Sequence, residues 1–201
     1  MNIIRYLLTL ITLVPTISLG GVPWQEALLK PIDPNEAIVK VPDFCFQYYV
    51  RAGATGVPRK DYLNAKYGVG NGHLNHYCDS RPKWDRCFNY PEKEKQQCFL
   101  SLLEGPSYAL KNDNGSTLKP LLMSERAFLL QQGGKHSEAI SEYQASIKAY
   151  PKYIRSYTGL ADVYIELKQY ADAINILEKA IKIFPNKNNL QKKLEKIKKK
   201  Q

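Results

Sequence analysis

Histidine and cysteine are scarce in this chain, three and four respectively in 201 residues. No two cysteines stand in a Cys-x-x-Cys spacing, so neither the redox-exchange motif nor the Cys-x-x-Cys-His haem-attachment motif is present. The glycine-rich run from Gly68 to Gly72 has no Gly-Lys-Ser/Thr behind it and no buried strand ahead of it. That excludes a phosphate-binding loop and leaves a turn. Nucleophilic catalysis needs a cysteine or serine converging with a histidine and an orienting acid, and three histidines give few ways to build that. The chain is therefore expected to be no enzyme and to use no cofactor. After residue 20 no apolar run approaches the roughly 20 residues that a membrane span requires.

The first twenty residues have one charge, Arg5, then the apolar run Tyr6 to Val14, then Pro15 and small residues ending in Ser18-Leu19-Gly20. This is the layout of a secretory signal at residues 1–20, with cleavage expected after Gly20; a retained anchor is the alternative. A periplasmic or secreted protein is the expectation. Export changes the reading of Cys45, Cys78, Cys87 and Cys98, because an oxidising compartment turns nearby thiols into bridges. Four cysteines allow three pairings. The favoured one joins Cys45 to Cys78 and Cys87 to Cys98, since the second bond closes a short local loop.

Basic residues outnumber acidic ones by 29 to 19, for a formal charge of +10. Much of the excess is local, in Lys192, Lys193, Lys196, Lys198, Lys199 and Lys200. In an exported protein such a tail meets anionic lipid or cell-wall surfaces, or keeps its helix solvated, and nucleic acid is not expected as a partner.

Prolines and glycines divide the rest. Residues 21–72 read as an arm broken by Pro23, Pro31 and Pro34, followed by short helices over 42–52 and 58–67 that begin at prolines. Residues 73–118 read as an irregular, cysteine-bearing helix pair, with a degenerate further repeat as the alternative, and with Gly105-Pro106 dividing the stretch from Pro91 to Leu110. Residues 119–185 repeat at a spacing of 34: Ala127 matches Ala161, Ala139 matches Ala173, Ile140 matches Ile174, Ile147 matches Ile181, Lys148 matches Lys182, and Pro151 matches Pro185. That period belongs to paired helices stacked side by side. Small residues are needed where such helices cross, and the alanines supply them. Residues 186–201 place Leu190, Leu194 and Ile197 at helical spacing among lysines, the pattern of a capping helix.

With Ala139, Ser146 and Pro151 in one unit and Ala173, Ala180 and Pro185 in the next, the pattern resembles the tetratricopeptide-repeat family. Unit one departs at Arg126 and His136, and unit two at Lys168, where glycine is common. The segment His76-Tyr77-Cys78 followed by such repeats also resembles exported bacterial proteins that join a cysteine-bearing front half to them. The resemblance implies an all-α solenoid and a groove, lined by the first helix of each unit, that holds a protein or peptide partner. By register its residues are Ser124, Phe128, Gln131 and Gln132, with Arg155, Thr158, Asp162, Ile165 and Glu166. The alternative is a small metal-binding or thiol-dependent envelope protein centred on His73, His76 and Cys78, with Cys45 as a further ligand.

Overall fold

A computed structural model of the chain describes residues 23–33, 37, 40–45, 66–67 and 74–200. The expected signal, most of the two short helices over 42–52 and 58–67, the glycine run and His73 lie outside the described residues. Each regular element described is helical: α1 (Pro23–Leu29), a 3-10 turn (Asp43–Cys45), α2 (Asn75–Ser80), a second 3-10 turn (Arg81–Lys83), α3 (Trp84–Cys87), α4 (Glu92–Ser101), α5 (Glu104–Lys111), α6 (Lys119–Gln132), α7 (His136–Ala149), α8 (Ile154–Glu166), α9 (Tyr170–Ile183) and α10 (Asn188–Lys198). No strand occurs among the described residues, in accord with the all-α expectation.

The two 34-residue units are the pairs α6–α7 and α8–α9. Ala127, Ala139, Ala161 and Ala173 are wholly buried, as close helix approach requires. On α9, Ala173, Leu177 and Ala180 form a buried stripe with Ile174 and Ile181 beside it. The stripe is covered by α10, whose Leu190 and Ile197 are buried and whose Leu194 is partly so. Where α7 meets α8, the hydroxyls of buried Ser146 and Ser156 lie 2.7 Å apart. Each satisfies the other, so no polar group is stranded in the seam.

The departures from the repeat pattern have local explanations. Arg126, standing where leucine is usual, makes two 2.7 Å hydrogen bonds and one of 3.1 Å to the carboxylate of Glu142 across the helix pair. Gly134 ends α6 with φ +74°, and 34 residues later Lys168 occupies the matching turn with φ +59°. A left-handed backbone costs an L side chain roughly 1–2 kcal/mol. Lys168→Gly is therefore expected to raise the unfolding free energy by about 1 kcal/mol after allowance for a looser unfolded chain. A urea midpoint that stays the same or falls would contradict this.

Ahead of the repeats, buried residues gather into two groups flanking α6. One contains Phe44, Cys45, Leu74, Tyr77, Cys78, Ala109 and Leu122. The other contains Trp24, Trp84, Cys87, Cys98, Phe99, Leu102 and Leu129. A disulfide sits in each, Cys45–Cys78 and Cys87–Cys98, which is the favoured pairing. Leu129 ties α6, the first helix of unit one, to this forward group.

The break in the stretch from Pro91 to Leu110 falls at Leu102–Leu103 and not at Gly105-Pro106. Pro106 lies in the first turn of α5, where a missing amide hydrogen leaves no helical bond unmade. Gly105 is required for packing, because a Cβ there would collide with the Ser80 hydroxyl of α2.

Candidate functional site

Three helical stripes converge on one cleft of about 320 Å³. Arg81, Trp84, Asp85 and Phe88 come from the second 3-10 turn, α3 and the residue that caps it, at i, i+3, i+4 and i+7. Ser124, Glu125 and Phe128 come from α6, and Arg155, Thr158, Gly159 and Asp162 from α8. Tyr143 of α7 reaches in against Gly159, where any Cβ would strike its ring.

The apolar wall is aromatic. Trp84 and Phe128 stack with ring centroids 5.7 Å apart, and Phe99 braces Phe128 edge-on from behind at 6.1 Å. Phe88 remains 50% exposed. Its position is fixed through its neighbour Cys87, bonded to Cys98 of α4. The Arg81 guanidinium lies 4.4 Å from the Trp84 ring centre, a cation–π contact that keeps the indole in place.

The polar part centres on Glu125, whose side chain is almost wholly buried. The Tyr77 hydroxyl donates a hydrogen bond to it, while Arg81 Nε stands 3.5 Å away and an Arg155 nitrogen 3.9 Å away. Burial pushes the Glu125 carboxyl up from its ordinary value in spite of both guanidiniums. The Tyr77 phenol is pushed well up, first by burial and then by the adjacent carboxylate. Asp162 pairs at 2.5 Å with Lys193 of α10, so the cap reaches back to the cleft. Trp84 Nε1 is a buried donor with no hydrogen-bond acceptor among the described residues.

A carboxyl whose folded pKa lies above its unfolded value stabilises the fold most below about pH 4.5 and loses that contribution as pH rises through the folded value. Glu125→Gln removes the titration and keeps an acceptor for Tyr77. The stability advantage of wild type over this variant, measured by urea unfolding, is expected to shrink as pH is raised through the interval above about 4.5. An advantage that widens over that interval would mean that the guanidiniums outweigh burial.

Of the nine residues placed in the groove by register, Ser124, Phe128, Arg155, Thr158 and Asp162 line this cleft. The other four do not. Gln131 donates a 2.6 Å hydrogen bond to Glu166, which His136 also approaches at 3.4 Å. Ile165 packs partly buried against the core of the second unit, and Gln132 is half-buried outside the cleft lining. The sequence reading missed Arg81, Trp84, Asp85, Phe88, Glu125, Tyr143 and Gly159. The helical spacing from Arg81 to Phe88 was the available signal for a common face, but nothing in it names the helix that face would meet.

A larger cleft of about 730 Å³ opens between α1, α2 and α5, lined among others by Trp24, Leu28, Asp79 and Glu104. None of its lining comes from the repeat helices. The metal or thiol alternative loses its sulfur, because Cys78 and Cys45 are bonded to each other and no cysteine is free. His76 stacks against Tyr108 at 4.3 Å and stands 3.7 Å from Glu104. Among the described residues no group of three or more histidine, cysteine or acidic side chains is placed to hold a metal.

Stacked helix pairs with a cleft along their first helices form a helical-repeat module, an architecture suited to gripping other polypeptides. Residues 129–197 match the family model described as tetratricopeptide repeat, from within α6 through α10. The fold is thus a short tetratricopeptide-repeat solenoid preceded by an irregular, disulfide-bonded helical part. No curated protein matches the chain.

Proposed function

We propose that this protein is an exported adaptor that holds a segment of a partner protein in the cleft between α3, α6 and α8, and that it works by recognition and not by chemistry. The observation that carries this reading is the aromatic wall. Phe88 and Phe128 offer apolar surface toward the cleft, and a disulfide, a stacked indole and the repeat packing hold that surface in shape before any partner arrives. Preordering of this kind lowers the entropy that binding must overcome. A volume near the lower end of ligand pockets, roughly 300 to 1,000 Å³, suits one or two side chains of a peptide.

Export is supported by the signal-like layout of residues 1–20 and by two disulfides, bonds that persist in oxidising compartments. The basic helix adds a second surface. Lys193 and Lys198 pair with Asp162 and Glu178, while Lys192, Lys196, Lys199 and Lys200 are exposed and suit contact with anionic lipid or cell wall.

The test is a photocrosslinking residue placed at Phe88 in intact cells, with the same probe at exposed Asn175 of α9 as control. A specific polypeptide crosslinked from Phe88 and not from Asn175, and lost with Phe128→Asp, is the expected result. Equal capture from both positions would remove the cleft from the reading. N-terminal sequencing of the mature protein, expected to begin at Gly21, tests export separately.

A further inference from the structure

If the cleft holds a peptide, its chemistry also limits which one. Two guanidiniums, Arg81 and Arg155, face a single buried carboxylate, Glu125. The third cation near the cleft, Lys193, is matched by Asp162. Around Glu125 one positive charge is therefore in surplus, and Arg155 has a side chain 66% exposed to meet an incoming group. Arg81 Nε already faces the Glu125 carboxylate at 3.5 Å, which leaves Trp84 Nε1 as the buried donor in the lining without a hydrogen-bond partner. What Arg155 can take from outside is an acceptor with negative charge. Asp85, the remaining acidic residue in the lining, stands in α3, one turn on from Arg81. Of the two arginines Arg155, in α8, is the more exposed, so a ligand acid is drawn to it.

We infer that the cleft selects a peptide segment in which a large aromatic or aliphatic residue is directly next to an acidic one. The apolar side chain enters against Trp84, Phe88 and Phe128, and the carboxylate meets Arg155 at the mouth. This rests on the peptide-holding reading above and adds to it the identity of the ligand. A basic residue in place of the acid sets like charge against Arg155 and gives it no acceptor, the combination by which a site rejects a wrong partner.

The experiment uses the full chain, with its disulfides intact, and three fluorescein-labelled peptides that differ only at the centre of a Gly-Ser frame: Phe-Asp, Phe-Lys and Ala-Asp. Fluorescence anisotropy is expected to show Phe-Asp binding at least about tenfold more tightly than either of the others, with the preference over Phe-Lys falling as salt is added. Arg155→Glu is expected to abolish or reverse the preference for Phe-Asp over Phe-Lys, and circular dichroism is expected to show its helix content unchanged, since the side chain is mostly exposed. Equal or tighter binding of Phe-Lys by wild type would overturn the inference. Binding of none of the three peptides would overturn it too. In either case the crosslink from Phe88 still decides by itself whether the cleft holds a partner.

Discussion

Leu177→Ala is expected to lower the unfolding free energy by about 2 to 5 kcal/mol, the range for removing a fully buried leucine from a core that cannot collapse around the gap. Leu177 has no exposure and lies among Tyr157, Ala161, Ala173, Ala180, Leu190 and Ile197. Those neighbours come from α8, α9 and α10, so one side chain joins the second repeat to its cap. Three of them are alanines with no spare length to swing into the vacancy. A solenoid of two units has no further repeats over which to spread the loss, because each unit is buried only by its neighbours. Urea unfolding measures the total, and hydrogen exchange is expected to show α9 and α10 losing protection before α4 and α5. A loss below about 1 kcal/mol would mean that the helices close over the gap, and that the alanine contacts do not hold them in register.

Removing the Cys45–Cys78 bond by the paired change Cys45→Ala and Cys78→Ala is expected to cost about 3 to 4 kcal/mol. Its sequence separation is 33, and the chain-entropy relation scales the effect with the logarithm of loop length. The same relation gives about 2 to 3 kcal/mol for Cys87–Cys98, whose separation is 11. The order of the two losses is the sharper test. If the shorter bond proves the more costly to remove, native packing around Trp84 and Phe99 dominates, and the unfolded-chain account does not apply here. The two bonds also differ in what they support. Loss of the short one frees the segment that carries Phe88, so crosslinking at the cleft is expected to weaken even under conditions where the helices survive. Loss of the long one is expected to act on stability and leave captured protein unchanged.

The C-terminal half could be read from the chain because its information is periodic. Ala127, Ala139, Ala161 and Ala173 recur at a fixed interval, and an interval fixes which faces of successive helices meet. The departures were also visible in the sequence, but their resolution was not. Arg126 was recognisable as an oddity at an apolar position, but only the fold places Glu142 opposite it. Lys168 stood out for want of glycine, and the positive φ there shows what glycine would have provided.

The front half has no period, so its helices carried no register against the repeats. The stripe from Arg81 to Phe88 has the spacing of a helix face, yet the same spacing fits a solvated surface equally well. This is why five of the nine expected groove residues line the cleft and the four nearer the ends of α6 and α8 do not. The family groove was drawn from the repeats alone, and α3 moves the usable cleft toward the N-terminal ends of these helices by supplying a third wall.

What the sequence determined by itself was local or repetitive: the stacking interval, the capping helix, and the short disulfide loop. These depend on residues close in the chain or on one spacing repeated, and such interactions leave their mark as pattern. What only the tertiary structure decided was the meeting of α3 with α6 and α8, the burial of Glu125 between Tyr77 and two arginines, and the Trp84 indole nitrogen left without an acceptor. Those depend on contacts between segments tens of residues apart, where no periodicity links the partners and only packing brings them together.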